Sequence, residues 1–272
     1  MSQVIQGSRG VTDNDVMTTL TLLPSEALLF HETYEQKRLN RVCQSMLEEG
    51  VIRNPALAMK LPSGKYLLLD GAHRVMAMKE LGCKRLAVQV VRDEWVRLSA
   101  WNHLVPKGEW WKSLCCDPSI ICVEMRREGR LLAYVKDTEG REVFLYPRAR
   151  DQRLITHLTA WHRIVSQYQH ECIVQRVADG DATRMGEGQI LFSYPKYTLD
   201  ELKWVVENGH LMPAGVTRTV VNGRLLNLNI SLDLLQAESV DQRRWEQLQA
   251  SWARRLRLYT EPVYICEGGG ID

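Results

Sequence analysis

Long apolar runs are missing from this chain. No stretch approaches the roughly 18 apolar residues a membrane helix needs, and Met1 to Asp15 hold no apolar segment of the kind that forms a signal-peptide core. A cytoplasmic protein without a membrane partner is the expectation. An excess of one charge is missing too: 35 Lys and Arg stand against 33 Asp and Glu, a net charge of +2. No global basic field therefore draws the chain to nucleic acid, and the balance points to a small-molecule ligand. Zinc spacing is absent as well. The seven cysteines (43, 83, 115, 116, 122, 172 and 266) include no CxxC pair, and adjacent Cys115 and Cys116 do not suit one tetrahedral site. Buried or inert thiols, kept reduced in the cytosol, are the plain reading. His103, His157, His162, His170 and His210 show no metal spacing, and His157 and His162, five apart on a helix, share no face well. Repeats and low-complexity tracts are also lacking. What is present is 45% hydrophobic and 25% charged residues over 272 positions, enough to bury one large core or two modest ones.

Periodicity divides the chain into an N-terminal extension (1–17), a compact α/β unit (18–92), a Trp-rich connection (93–118) and a second mixed α/β lobe (119–272). The unit at 18–92 reads as a strand at Thr19 to Leu23 and a loop carrying His31-Glu32. A helix from Tyr34 to Glu49 follows, with Leu39, Val42, Cys43, Met46 and Leu47 at helical spacing and Gly50 as its stop. Pro55 to Leu61 and Lys65 to Leu69 form a hairpin about Pro62-Ser63-Gly64. A helix from Gly71 to Leu81 and a strand from Arg85 to Val91 complete the unit.

The connection loses its period while gathering Trp95, Trp101, Trp110 and Trp111, which suits a segment lining a site between two lobes. In the second lobe the pattern predicts a hairpin of Ile121 to Val135 with Arg141 to Tyr146 and a helix from Arg150 to Tyr168. Strands at Cys172 to Val177 and Gln189 to Phe192 come next, then a helix opened by the capping box Thr198-Leu199-Asp200-Glu201. A last helix, Asp241 to Leu256, carries Trp245, Leu248, Trp252 and Leu256 on one stripe and is expected to dock on the second lobe.

The chemistry concentrates at Asp70-Gly71-Ala72-His73-Arg74, where a strand hands over to a helix. Glycine lets a ligand approach the backbone, and the free N–H groups of the first helical turn face it with the positive end of the helix dipole. Phosphate fits there; the other reading of the same five residues makes Asp70 an N-cap and Arg74 a surface salt-bridge residue. His73 and Arg74 supply further donors, and Asp70, at the carboxyl end of its strand, is placed to hold Mg²⁺ or orient a nucleophile. Glu32 lies in a loop where no apolar period explains it, and is a candidate general base.

Leu22 to Val91, with His31-Glu32, Asn54-Pro55 and Leu69 to Arg74, resembles the ParB/sulfiredoxin superfamily domain. The resemblance implies an α/β (α+β) fold with that domain at the N-terminus, and its branches separate on particular residues. Sulfiredoxins need a reactive cysteine where this chain has Ala72. Partition proteins continue into a helix-turn-helix, which the alternating hairpins, strands and helices of 119–235 do not match.

The free L-serine kinases, including relatives in siderophore pathways, are similar further along: at Trp101-Asn102-His103-Leu104, at Gly215-Val216-Thr217-Arg218 and at Gly223 to Asn229. Membership of that branch implies a kinase that phosphorylates the hydroxyl of L-serine from ATP or ADP with Mg²⁺. Its O-phospho-L-serine would be a precursor for siderophores or other amino-acid-derived metabolites. It implies Glu32 as base, Asp70 as its assistant and metal ligand, and Gly71, Ala72, His73 and Arg74 as nucleotide-binding. Trp101, His103, Thr217, Arg218 and Arg224 would form the serine pocket. Thr219 departs from the branch, which often has histidine there. Some relatives bind haem, but no Cys or His here is marked as its ligand. The alternative the superfamily implies is a nucleotide- or haem-responsive DNA-binding regulator without turnover.

Overall fold

A computed structural model describes residues 13–149, 153–178 and 185–259. The predicted helix start at Arg150, Cys266 and most of the 1–17 extension lie outside the described residues. The first unit contains α1 (Asp13–Thr18), β1 (Leu20–Leu23), β2 (Leu28–Phe30), α2 (Gln36–Glu49), β3 (Val51–Ile52), β4 (Ala56–Lys60), β5 (Tyr66–Asp70), α3 (Ala72–Glu80) and β6 (Leu86–Val91). Five of its strands form one mixed sheet in the order β1-β6-β4-β5-β2. β1 runs antiparallel to β6, β4 antiparallel to β5, and the β4–β6 and β2–β5 pairs are parallel.

The period-two alternation of β4 and β5 splits this sheet between two cores. Leu57, Met59, Leu67 and Leu69 join the core of the second lobe. Ala56, Ala58 and Leu68 face α2 and α3. A sheet covered on both faces requires apolar residues at successive positions, which is why these strands read as continuous apolar runs. Gly50 closes α2 as expected, in the left-handed region (φ 65°) with its N–H on Met46 O.

The rest comprises β7 (Val96–Pro106), α4 (Glu109–Cys115), β8 (Ile120–Val123), β9 (Ala133–Asp137), β10 (Glu142–Pro147), α5 (Leu154–Gln169), β11 (Gln175–Ala178), β12 (Gln189–Ser193), α6 (Leu199–Glu207), β13 (Thr217–Val221), β14 (Ile230–Ser231), α7 (Leu232–Gln236) and α8 (Gln242–Ala253). A seven-stranded sheet runs β11-β7-β12-β9-β10-β8, with β13 also on β7. The capping box on α6 is formed as predicted, with Thr198 and Glu201 bonded reciprocally.

Three expectations are corrected. The supposed irregular connection is mostly the 11-residue strand β7, which pairs with β11, β12 and β13. Its period is blurred because its two ends meet different neighbours. Ile121 to Val135 is not one strand but β8, a loop and β9. The last helix does not dock on the second lobe: Trp245 and Trp252 pack in the first unit's core with Met17 and Leu20, and Gln249 Nε2 donates to Leu20 O. The apolar stripe marks a buried face, but only the chain path decides which surface it meets. Residues after Gly223 thus return to the first unit, β14 pairing with β3.

Candidate active site

β5 ends at Asp70 and α3 begins at Ala72, with Gly71 between them at φ 99°. A Cβ on Gly71 would stand 2.9 Å from Arg74 Nη2 and 3.3 Å from Ala56 Cα, so both conformation and space demand glycine. No side chain caps α3. Its first-turn N–H groups therefore remain without a side-chain partner at that end.

Around this turn the structure gathers residues from distant parts of the chain. Glu32 lies with Asp70, Gly71 and Ala72 on the wall of one small cleft. Its Oε2 accepts the Gly215 N–H at 2.9 Å, and a bridge pairs Glu32 with Met212. Next to it, His31 is buried with Nδ1 2.6 Å from Leu68 O, which ties the loop to the floor of β5. A loop carboxylate thereby becomes a fixed one.

Asp70 Oδ2 accepts from Arg74 Nη2 at 2.8 Å and also from Arg224, 154 residues later. Burial opposes ionisation of Asp70, but Arg74 and Arg224 outweigh it and hold its pKa below the usual carboxylate value. Arg74 is thus bound first to Asp70 and covers Gly71, a different placement from the outward phosphate clamp expected of it. Arg224 is aimed by Gln89, a buried side chain of β6 that donates to Gly223 O at 2.8 Å and accepts from Leu225 N–H at 2.9 Å.

His73 Nε2 accepts the Glu35 N–H at 3.1 Å, so its proton resides on Nδ1. Burial, with Arg38 and Arg176 nearby, lowers its pKa, against the pull of Glu32 and Glu35. It is a neutral donor rather than a cation at neutral pH.

The predicted serine-pocket residues divide. Trp101 N–H donates to Val216 O, and Arg218 stacks on the Trp101 ring with its guanidinium carbon 4.6 Å from the centroid. Thr217 pairs with Ala100, two residues from Gly215, whose N–H holds Glu32. Thr219 Oγ1 donates to Leu69 O at 3.4 Å and ties β13 to the end of β5 beside Asp70.

His103 is the exception, for it is buried and both ring nitrogens are engaged: Nδ1 with Tyr168 Oη at 2.7 Å and Nε2 with Gly215 O at 2.9 Å. It supports the loop that holds Glu32 instead of facing a substrate. Sequence reasoning also missed Arg176, whose guanidinium lies so close against Gly215 that a Cβ there would collide with it. Nothing in its strand distinguishes it from a solvated charge. Gln89 had a signal, as a polar residue within the apolar run of β6.

An uncapped helix N-terminus and a carboxylate fixed by backbone line one cleft at the edge of the first unit's mixed α/β sheet. No family model matches the chain. It is 34% identical over 258 residues to the ATP-dependent L-serine kinase SbnI of Staphylococcus aureus, covering 93% of this chain and 99% of that one. It is 36% identical over 83 residues to an ATP-dependent L-serine kinase of Staphylothermus marinus, 29% of this chain and 33% of that one. A structure of SbnI with a C-terminal truncation superposes with TM-score 0.80 at 31% identity, covering 88% of this chain and 99% of that one. A free serine kinase in complex with ADP shares the fold, with TM-score 0.63 at 17% identity over 80% of this chain and 94% of that one. The chain belongs to the L-serine kinase family that includes SbnI.

Proposed function

We propose that this protein transfers a phosphoryl group from a nucleotide to the hydroxyl of free L-serine, giving O-phospho-L-serine. The observation that carries the reading is the Glu32 carboxylate held on Gly215 N–H in the same cleft as the open N-terminus of α3. Glu32 takes the hydroxyl proton while the serine oxygen forms its bond to the terminal phosphorus and the bond to the leaving nucleotide breaks. The backbone at Gly71 and Ala72 and the Nδ1–H of His73 receive phosphate oxygens. Arg218 on Trp101, with Thr217, forms the serine side, and Arg176 adds positive charge beside Gly215. His103 is a positioning residue.

ATP is the proposed donor, since the relative that matches nearly the whole chain is named as ATP-dependent, while a shorter match, to a kinase of Thermococcus kodakarensis, is named ADP-dependent. The donor set also fits Mg²⁺. Both arginines engage Asp70 Oδ2, which leaves Oδ1 as the hard oxygen for the metal, and Mg²⁺ characteristically takes one or two carboxylates and completes its shell with phosphate and water. Bound there, the ion would neutralise charge on the phosphates. Among the described residues no helix is long and apolar enough to cross a membrane.

Phosphorus NMR of the protein with Mg²⁺, serine and either ATP or ADP tests donor and product together. Phosphoserine is expected with ATP, and loss of at least about 100-fold in rate with Glu32→Gln. Absence of phosphoserine with both nucleotides refutes the proposal.

A further inference from the structure

Gly215 sits in the left-handed region (φ 74°), and the space where its Cβ would stand is taken by an arginine from another strand. A Cβ built there would overlap Arg176 Nη2 and lie 2.6 Å from Nε and 2.7 Å from Cζ, so glycine at this position makes room for the guanidinium. Arg176 lies in β11 opposite His103 of β7, and His103 Nε2 engages Gly215 O at 2.9 Å. Gly215 N–H meanwhile holds the Glu32 carboxylate at 2.9 Å. One backbone residue thus carries the proposed base on its N–H and a cation over its Cα.

This cation is uncommitted. Among the described residues the Arg176 side chain makes no hydrogen bond and no ion pair, and it is exposed. The other arginines named around the cleft are already engaged: Arg74 and Arg224 bind Asp70 Oδ2, and Arg218 stacks on Trp101. The charge of Arg176 also reaches both sides of the base. Burial is the main cause that lowers the pKa of His73, at the start of α3, and of His103, behind Gly215, and Arg176 adds to the lowering at each. An exposed arginine ordinarily extends into water. One laid against backbone, in space that only a glycine leaves, holds its N–H donors in a fixed plane beside the base.

We propose that Arg176 is a catalytic residue of the transfer, donating N–H bonds to the phosphoryl group as it passes from nucleotide to serine. The inference rests on the kinase reading and on where Glu32 must act. Glu32 reaches the serine hydroxyl through one hydrogen bond, and that oxygen attacks phosphorus from about 3 Å, so the phosphoryl group comes within two short contacts of the carboxylate. The guanidinium is anchored on the same glycine as that carboxylate. In the step itself the serine oxygen bonds to phosphorus, the bond to the leaving nucleotide oxygen breaks, and the hydroxyl proton goes to Glu32; nothing is oxidised or reduced. Arg176 keeps its protons throughout and neutralises the charge spread over the equatorial oxygens in the transition state. Arg218 and Thr217 remain on the serine side.

The test compares Arg176→Ala and Arg176→Lys with wild type. Since the side chain makes no bond to the described residues, both variants are expected to melt within about 2 °C of wild type. Arg176→Ala is expected to lower kcat for phosphoserine formation about 100-fold while keeping KM for serine and for nucleotide within about threefold. Added guanidinium ion, below denaturing concentration, is expected to restore about tenfold of that loss, and Arg176→Lys, which keeps the charge without the planar fork, to fall between. Calorimetry supplies a readout without turnover: with serine and Mg²⁺ present, aluminium fluoride, which mimics the phosphoryl group in transfer, is expected to tighten ADP binding in wild type. Arg176→Ala is expected to lose that gain without weakening ADP alone. A kcat within about threefold of wild type in Arg176→Ala, or a serine KM raised at unchanged kcat, overturns the proposal. So does a kcat that guanidinium ion does not restore, or a gain from aluminium fluoride equal in wild type and variant. Failure of the kinase reading is a different result, the absence of phosphoserine from the wild-type protein, and the calorimetric comparison then still decides the role of Arg176.

Discussion

Replacing His103 with phenylalanine tests whether the buried hydrogen-bond chain behind Glu32 sets the rate. His103 Nε2 faces a carbonyl, Gly215 O, and must therefore carry the proton; Nδ1 is then an acceptor, and Tyr168 Oη donates to it. With its proton committed, Tyr168 takes the Tyr194 hydroxyl as donor at 2.5 Å. The sense of the chain is fixed from Tyr194 to Tyr168 to His103 to Gly215, whose N–H holds Glu32. Phenylalanine fills the space but leaves the Tyr168 hydroxyl and Gly215 carbonyl without these partners. At about 1–3 kcal/mol for each orphaned group, the loss is about 2–6 kcal/mol, or a fall in Tm on the order of 5–15 °C for a chain of this size.

Relaxation of Gly215 by about 1 Å would lower kcat about 100-fold with little change in nucleotide affinity. Tyr194→Phe removes only the terminal donor and is expected to cost about 1 kcal/mol and keep kcat within about twofold. Differential scanning fluorimetry and initial rates of phosphoserine formation read the two effects separately. A His103→Phe protein that melts earlier but retains wild-type kcat refutes the positioning role.

The same residue predicts a pH dependence. Burial, against the backbone bond to Gly215, holds the pKa of His103 down at about 4 from an ordinary 6.5. The unfolded chain takes a proton near pH 6.5 that the folded chain refuses until about pH 4, so this contribution to stability is complete above that window and is lost as pH falls through it, by about 3 kcal/mol; chemical denaturation at pH 7 and pH 4.5 should show a smaller decline for His103→Phe than for wild type. Gly71→Ala combines a φ of 99° with a Cβ 2.9 Å from Arg74 Nη2, and is expected to cost about 1–3 kcal/mol and to weaken nucleotide binding measured by calorimetry. Gln89→Leu removes both bonds that aim Arg224 at Asp70; a destabilisation of about 2–4 kcal/mol with a reduced kcat is expected from denaturation and rate measurements. Trp252→Ala is expected to destabilise the first unit by about 3–5 kcal/mol, followed by hydrogen exchange at β1, where a helix docked on the second lobe would leave that strand unaffected.

Local chemistry is legible in the sequence alone. Gly50 and the Thr198–Glu201 box announce helix ends because caps depend on neighbours a few residues apart. The Asp70–Arg74 turn is legible for the same reason: strand, glycine and helix are contiguous, and the anion cradle is made of their own backbone. Glu32 is visible only as a polar residue without a period, and resemblance to a family supplies its role. Arg176 and the burial of His103 leave no comparable trace, since a charge in a short strand and a histidine near a tryptophan read alike whether they face water, substrate or core.

By itself, then, the sequence determined where the strand–glycine–helix turn lies, that its flanking strands are apolar on both faces, and, through Ala72, that sulfiredoxin's thiol chemistry is not available there. Tertiary structure decided what that turn works with. Arg224 reaches Asp70 across 154 residues, Gly215 reaches Glu32 across 183, and α8 crosses back to the first unit's core. Contacts of that separation depend on which strands pair and where the chain returns, and short-range periodicity carries no information about either.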